Sequence, residues 1–337
     1  MKPHLITKQL ILAFVLVLIH KPGCSQSVKW FSYQKNMQSC IAEMHSPSNK
    51  LELVKLNKLH PFYYKNDATE RLFIEAQMGF QLPFLTVMKQ LERGQIETSI
   101  CAPVSILTLV DMFENETAPV INNDYRFGAK ILFLFSPENS NDAFVKNYHM
   151  TLVPVFHEST HIGDEFALHG YNQIPDFARI NVSYEAWQIM VGINRPQRDQ
   201  KNNLSAGIGY ERLMPYKDGY YNIDSMEVKG AEITPSDGRD LWFARAEYFY
   251  SLRFKNKSTT DLVASTEVRR EIKFGYTPDE PEKRVWSVNF YLGCRFPVKN
   301  TKRNIGIYYR HYRGIVPYGQ LRNNDNFVLH GLSVVFD

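Results

Sequence analysis

Residues 241–254 read LWFARAEYFYSLRF, and this stretch decides the fold. Apolar and aromatic residues occupy its even positions, from Trp242 to Phe254, while Arg245 and Glu247 stand at odd positions. A period of two is typical of a β-strand with one apolar face. The alternation continues along the whole stretch, whereas strands of soluble proteins average about five to six residues. Because a tilted strand needs about nine to eleven residues to cross a bilayer, the pattern predicts a membrane-spanning strand.

The same alternation recurs elsewhere in the chain, at residues 70–80, 178–186, 261–274 and 284–296. Polar, turn-rich segments such as SPENSND, NRPQRDQKNN and TPDEPEK separate these stretches. Strands can cross hydrocarbon only in a closed barrel, where every backbone polar group is paired. We therefore expect an all-β fold, a closed antiparallel transmembrane β-barrel of about twelve strands, over residues 70–337. A secreted β-sandwich is the alternative, because its strands also alternate.

The N-terminal residues 1–26 have the features of a cleaved signal peptide. Lys2 and Lys8 accompany an apolar run, Leu10–Ile19, that is too short to span a bilayer as a helix. We therefore expect export and location in the outer membrane of a Gram-negative cell. Residues 27–69 lack a clean period and are expected to form an N-terminal extension or plug.

Composition excludes some classes of protein. The 337 residues are 44% hydrophobic and 22% charged, which is typical of a folded chain. The net charge of +4 is modest and no basic stripe is evident, so no nucleic-acid partner is expected. Cys24 lies within the signal peptide, and a disulfide between Cys40 and Cys101 is left open.

The C-terminal residues LHGLSVVFD indicate a partner. Gly331, Val334 and Phe336 have the spacing of the terminal strand that barrel-assembly machinery reads, and the resemblance implies that this machinery recognises the chain. The departure is Asp337, which follows the last aromatic residue.

Residues 153–166 read VPVFHESTHIGDEF, and their function depends on whether they form a helix or a strand. On a helix, His157, Glu158 and His161 would form the H-E-x-x-H motif of a zinc protease, since a helical repeat brings both imidazoles to one metal. Pro154 disfavours a helix because it removes a backbone hydrogen bond. We expect a strand and no metal site, and keep the zinc protease as the least favoured alternative.

On a strand, His157, Ser159 and His161 share one face with Val153 and Val155. An imidazole beside a hydroxyl can act as its general base. If this face meets lipid, the polar residues lie at the membrane boundary, where the ester or amide groups of outer-membrane lipids are found. One hypothesis is therefore a lipid hydrolase.

The His157-x-Ser159 pair resembles the H-x-S pair of outer-membrane phospholipase A and of lipid A deacylase, which are outer-membrane barrels. The resemblance implies that His157 is the base, that Ser159 is the nucleophile, and that Asn181 or Glu185 on the next strand orients the histidine. Resemblance to the phospholipase also implies calcium. In that family the string continues Ser-Asn, whereas Thr160 follows here.

A closer resemblance is to an uncharacterised family of bacterial outer-membrane barrel proteins. These carry an H-x-S-x-H-x-G-D-E segment, matched here by residues 157–165, and a following R-I-x-x-S-x-E strand, matched by residues 179–185. The resemblance implies the fold and the location, and it implies no reaction.

The alternative hypothesis is a non-enzymatic structural or transport barrel in which the same residues face the lumen. Barrels without a wide pore fill their interiors with polar side chains. The members of this network would be His157, Ser159, His161, Arg179, Asn181, Ser183 and Glu185, with Asp164 and Glu165 paired to inner arginines. The direction of Ser159 decides between the two hypotheses.

Overall fold

The structure is a computed structural model whose described residues are all strands and their connections. They are residues 26–32, 39–44, 46–57, 71–112, 120–138, 144–163, 179–180, 183–194, 202–214, 218–221, 228–231, 239–253, 259–273, 283–298, 304–318 and 326–336. Among them, no helix has the length and hydropathy that crossing a bilayer requires.

The strands, in chain order, are β1 (Gln26–Trp30), β2 (Asn49–Asn57), β3 (Arg71–Leu91), β4 (Gly94–Val110), β5 (Val120–Pro137), β6 (Tyr148–Ile162), β7 (Arg179–Ile180), β8 (Ser183–Ile193), β9 (Asn202–Leu213), β10 (Asp218–Tyr221), β11 (Val228–Ala231), β12 (Arg239–Arg253), β13 (Thr259–Lys273), β14 (Lys283–Pro297), β15 (Asn304–Gly314) and β16 (Phe327–Phe336).

Twelve of these strands form one closed antiparallel barrel, as the sequence predicted. Its order is β2, β3, β4, β5, β6, β8, β9, β12, β13, β14, β15 and β16, and β16 pairs with β2 to close it. The short strand β1 pairs with the second half of β3, beyond the end of β2. A separate small sheet contains β7, β10 and β11.

Two boundaries differ from the sequence analysis. The barrel begins at Asn49 and not at residue 70, because β2 pairs with both β16 and β3. Lys55 stands in the outward row of β2 and interrupts the apolar pattern there. The stretch at residues 178–186 is not one strand, since β7 pairs with β10 whereas β8 begins at Ser183 and joins the barrel.

The alternation read from residues 241–254 is confirmed over residues 241–252, whose side chains the structure describes. Trp242 is 56% exposed on the outer face, whereas its neighbour Phe243 is 4% exposed and faces the lumen. Arg270, the one charge in the apolar row of β13, packs over the Trp286 ring at 6.0 Å. Aromatic residues at the ends of an apolar outer band are the pattern of a transmembrane barrel.

Chain segments fill the lumen. A barrel of about eight strands can be filled by side chains alone, and one of twelve encloses more space. Residues 39–44 and 46–48 occupy part of it: the Ile41 amide donates to Glu247 Oε2 at 2.8 Å, and Lys50 Nζ donates to the Ile41 carbonyl at 2.7 Å. From the other end, residues 315–318 enter and bury Tyr318.

Buried ion pairs connect the strands across the lumen. Arg310 lies between Glu52 and Glu75, with 2.7 Å between Arg310 Nη1 and Glu75 Oε1. On the other side, Arg269 pairs with Glu211 and Glu267 at 3.4 and 3.3 Å. The lumen therefore holds a packed polar network.

The two ends of the barrel differ in their connections. At the end where β16 finishes, few residues separate successive strands: residues 92–93 lie between β3 and β4, residues 254–258 between β12 and β13, and residues 298–303 between β14 and β15. At the opposite end the connections include residues 58–70, 163–182 and 214–238. We call these the short-turn end and the long-loop end. Bacterial outer-membrane barrels place short turns in the periplasm and longer loops outside the cell.

Candidate functional site

The candidate site lies where β6 reaches the long-loop end. The segment around His157 is a strand, and it pairs with β5 on one side and β8 on the other. A register shift between Val153 and Phe156 includes Pro154, which has no amide hydrogen for the ladder. This bulge turns Val153 into the lumen, so the expectation that it shares a face with His157 is wrong.

The strand sends its polar residues in opposite directions. Glu158 and Thr160 are buried on the lumen side, whereas His157, Ser159 and His161 face outward. A zinc site of the H-E-x-x-H type needs its two histidines and its glutamate on one side of a helix. The strand separates them, and the zinc-protease alternative is therefore excluded.

The neighbouring strand β8 adds a hydroxyl and a carboxylate. Ser183 is paired with Ser159 and Glu185 is paired with His157 in the β6–β8 register. The Ser183 Oγ atom lies 3.4 Å from His157 Nε2, at the long limit of a hydrogen bond. Glu185 is exposed, and side chains at directly facing positions of antiparallel strands have Cβ atoms about 4.5–5.5 Å apart. An imidazole, two hydroxyls and a carboxylate thus share one outward patch.

An aromatic wall on β5 completes this patch, and the sequence analysis did not identify it. Phe127 faces His157 across the strands, and the ring centroids are 5.2 Å apart. Tyr125 faces Ser159 in the same way. Both aromatic residues are exposed on the outer surface, at 42% for Tyr125 and 55% for Phe127. In the sequence, their spacing of two along β5 was the pattern that could have indicated a shared aromatic face.

The glycine of the motif has a structural role at the end of β6. The Gly163 amide donates to the Ile121 carbonyl at 3.2 Å. A Cβ atom at this position would lie 1.6 Å from the Val120 carbonyl oxygen. Only glycine permits this close approach of the two backbones, which fixes the end of β6 beside β5.

The structure describes only some of the remaining predicted site residues. Arg179 belongs to β7, whose partner is β10 and not a barrel strand. Asn181, Asp164 and Glu165 lie outside the described residues.

The structure corrects the expectation that the predicted site residues form a network in the lumen. His157, Ser159, His161 and Glu185 face outward and take no part in it. A polar network does fill the lumen, but arginines and glutamates of other strands form it. In the sequence, this network was indicated by charged residues at alternate positions of long strands, for example Arg245 and Glu247 on β12 and Glu267 on β13.

Metal binding has little support from the described residues. Among them, no three His, Cys, Asp or Glu side chains are grouped so that they could hold a metal ion. Among the described residues of the outward patch, Glu185 alone supplies a carboxylate. Calcium usually takes about six to eight oxygen ligands. These residues do not fit the calcium that resemblance to the phospholipase implied.

Part of the sequence matches a known protein family. Residues 62–210 match the model of a family described as "Protein of unknown function (DUF1207)". This range includes the strands of the candidate site, and the resemblance to an uncharacterised family is confirmed over it. No curated protein matches the sequence.

Several solved barrels are similar in structure at low identity. Outer membrane phospholipase A from Escherichia coli is 13% identical with a TM-score of 0.48, covering 91% of this chain and 99% of that one. The translocator domain of the autotransporter NalP from Neisseria meningitidis is 10% identical with a TM-score of 0.42, covering 99% and 94%. LpxR from Salmonella typhimurium is 9% identical with a TM-score of 0.35, covering 85% and 99%. At these values no activity follows from the likeness.

Proposed function

We propose that this chain is an outer-membrane barrel that hydrolyses an acyl ester of a lipid in the leaflet at its long-loop end. The observation that carries the proposal is the outward patch of His157, Ser159, Ser183 and Glu185, which faces the lipid side of the barrel and not its lumen. A hydrolase of soluble substrates would have no reason to present these groups to lipid. The outer-membrane location and the lipid partner are part of this proposal.

The chemistry requires a base, a nucleophile and an orienting group. His157 accepts the hydroxyl proton of a serine as its Oγ attacks the ester carbonyl carbon. The tetrahedral intermediate collapses, and the lipid alcohol leaves with the proton that His157 returns. Water, deprotonated by His157, then attacks the carbonyl carbon of the acyl-serine. The bond to the serine Oγ breaks, His157 returns the proton to that oxygen, and the fatty acid is released. Glu185 is suited to orient the imidazole, because it stands at the facing position.

Two serines compete for the role of nucleophile. Ser159 has the H-x-S spacing, whereas Ser183 has the hydroxyl within hydrogen-bonding range of His157. Catalytic hydrogen bonds are often long before substrate binds, so the present distance is compatible with a base and its nucleophile. The aromatic wall of Tyr125 and Phe127 offers an apolar surface for an acyl chain beside both serines.

The test is fatty-acid release by the purified, refolded barrel in mixed micelles of phospholipid and detergent, with and without calcium. We expect activity that falls at least 100-fold in His157→Gln and in the double variant Ser159→Ala, Ser183→Ala. The matched control is Thr266→Ala, which removes an outward hydroxyl from β13, far from the patch. Equal rates for the parent protein, the double variant and the control would overturn the proposal.

The second candidate is a structural barrel without enzymatic activity. The observation that favours it is the filled lumen, where residues 39–44 and 46–48 and the Arg310 ion pairs lie between the strands. If the purified barrel hydrolyses neither phospholipid nor acylated glycolipid substrates, the structural barrel is the candidate that remains.

A further inference from the structure

The outward residues of β5, β6 and β8 around the candidate hydrolytic site form a grid of facing positions. Three rows cross the strands, in order toward the long-loop end: Phe127, His157 and Glu185; then Tyr125, Ser159 and Ser183; then Asn123 and His161. Both candidate serines lie in the middle row, and the base lies in the row nearer to the short-turn end. The β5 members of the second and third rows are polar, and the proposed hydrolysis gives their polar groups no role.

The hydrolysis of an ester requires hydrogen-bond donors for the carbonyl oxygen. Attack on the ester turns this oxygen into an anion, which hydrolases stabilise with donors that are fixed in advance. Ser159 lies in β6 between β5 and β8, with Tyr125 and Ser183 as its paired neighbours. Amides of a paired strand point along the sheet toward the neighbouring strands and not toward lipid. Side chains of the outer face must therefore supply the donors.

The hydroxyl of Tyr125 is suited to be the first donor. Tyr125 stands at the facing position of Ser159, and its side chain is 42% exposed on the outer surface. Among the described residues, none forms a hydrogen bond with this hydroxyl. Because a tyrosine side chain is long, it can extend over the facing position toward the next strand. The hydroxyl can therefore reach an ester that is attacked by either serine.

The amide of Asn123 is suited to be the second donor. Its Oδ1 atom accepts a hydrogen bond from the Thr108 hydroxyl at 2.7 Å. This bond fixes the orientation of the amide and leaves its two N–H donors, which no described residue accepts. Asn123 is the diagonal neighbour of Ser159, and such neighbours are about 7–8 Å apart. That separation leaves space for an oxygen atom between two short side chains.

The base and the two donors lie on different sides of Ser159. His157 lies toward the short-turn end, whereas Asn123 lies toward the long-loop end. The imidazole therefore remains available for the serine proton, and the donors remain available for the carbonyl oxygen. His161, in the same row as Asn123, already has an interaction of its own and is not counted as a donor.

We propose that Tyr125 and Asn123 form the oxyanion hole of the ester hydrolysis; the inference rests on the proposed function and adds two catalytic residues to that site. As the serine Oγ bonds to the ester carbon, an electron pair of the C=O bond moves onto the oxygen. This oxygen accepts hydrogen bonds from the Tyr125 hydroxyl and the Asn123 amide, and neither donor transfers its proton. When the intermediate collapses, the pair re-forms the C=O bond, and the lipid alcohol leaves with the proton from His157.

The test measures kcat and KM of the purified, refolded barrel on phospholipid in mixed micelles. Tyr125→Phe removes only the hydroxyl, and we expect kcat to fall at least 100-fold. KM is expected to stay within about twofold, because the ring remains beside the acyl chain. Asn123→Leu is expected to lower kcat at least tenfold. The matched control is Tyr248→Phe, which removes a hydroxyl from an outward tyrosine of β12 that is 43% exposed, and it is expected to keep the parent rate.

An ether phospholipid provides a second measurement, because it has no ester carbonyl. It is expected to bind equally to the parent protein, Tyr125→Phe and Tyr248→Phe. The inference is overturned if the parent hydrolyses phospholipid and Tyr125→Phe does so at the rate of the control. It is also overturned if Tyr125→Phe raises KM, or weakens ether-lipid binding, and leaves kcat unchanged. A parent protein that hydrolyses no phospholipid would instead overturn the proposed function, and this inference with it, so the two failures are distinguishable.

Discussion

The Oγ atom of Ser183 lies 3.4 Å from the Nε2 atom of His157, across the junction of β6 and β8. Both side chains are on the outer face of the barrel, at its long-loop end. Sequence spacing favours Ser159 as the nucleophile of the proposed hydrolase, whereas this distance favours Ser183. The two observations therefore assign the nucleophile to different serines, and both assignments have His157 as the base.

The first prediction follows from this distance. If Ser183 is the nucleophile, Ser183→Ala lowers fatty-acid release at least 100-fold and Ser159→Ala lowers it less than tenfold. The measurement is the initial rate of each single variant in phospholipid micelles, with labelling of the protein by a fluorophosphonate ester. The opposite order of the two rates, with label on Ser159, would assign the nucleophile to Ser159.

The second prediction concerns the buried ion pairs of the lumen. Replacing Arg310 by methionine leaves Glu52 and Glu75 without their shared cation, and we expect a loss of about 3–5 kcal/mol in the free energy of unfolding. Guanidinium titration in detergent micelles measures it. The control Arg313→Met lies on the same strand but is exposed, and we expect a change within about 0.5 kcal/mol. Similar losses in both variants would show that the pairing is not what stabilises this side of the barrel.

The third prediction concerns Gly163. An alanine there would place its Cβ 1.6 Å from the Val120 carbonyl oxygen, so the backbone must shift at the end of β6. We expect a cost of about 1–3 kcal/mol in the free energy of unfolding, measured by the same titration. Gly207→Ala is a milder comparison, because its nearest contact would be 3.0 Å away. A Gly163→Ala protein as stable as Gly207→Ala would contradict the close approach.

The fourth prediction tests which face of β13 meets lipid. Ala264 and Thr260 both face outward, Ala264 near the middle of the strand and Thr260 at its short-turn end. Arginine at the bilayer midplane costs about 2–4 kcal/mol, and near the interface about 0–1 kcal/mol. We therefore expect Ala264→Arg to destabilise the barrel in lipid bilayers by more than Thr260→Arg does. Unfolding from large vesicles measures both, and equal costs would argue against an outer face in hydrocarbon.

The fifth prediction concerns Cys40 in the segment that fills the lumen. Its Sγ atom lies 2.9 Å from Ser265 Oγ, and burial raises the pKa of the Cys40 thiol well above its ordinary value. Cys101 is separate and contacts Gln81 at 3.5 Å, so the disulfide left open by the sequence is absent from the structure. Because the thiol stays protonated at pH 8, alkylation by iodoacetamide is expected to be slow in the folded barrel and fast after unfolding. Peptide mass spectrometry follows it, and fast modification of folded protein would place Cys40 outside the lumen.

The sequence carried the information about the strands because the period of two is a local property. In residues 241–254, apolar residues alternate with a row that carries charge, and each residue therefore indicates its own face. The same local rule identified residues 153–161 as a strand, because a proline and β-branched neighbours act within a few residues. Local patterns failed at β2, where Lys55 stands in the outward row near the membrane boundary, and at Val153, where a bulge reversed the face.

By itself, the sequence determined an all-β barrel with one apolar face and a strand bearing His157 and Ser159. Tertiary structure alone decided which way that strand turns, which residues of β5 and β8 stand beside it, and which arginines and glutamates meet in the lumen. The reason is that a strand pattern distinguishes two faces but does not say what lies opposite either one. Pairing register and barrel closure join residues far apart in the chain, such as Ser159 with Ser183 and Lys55 with His330, and no local pattern records those distances.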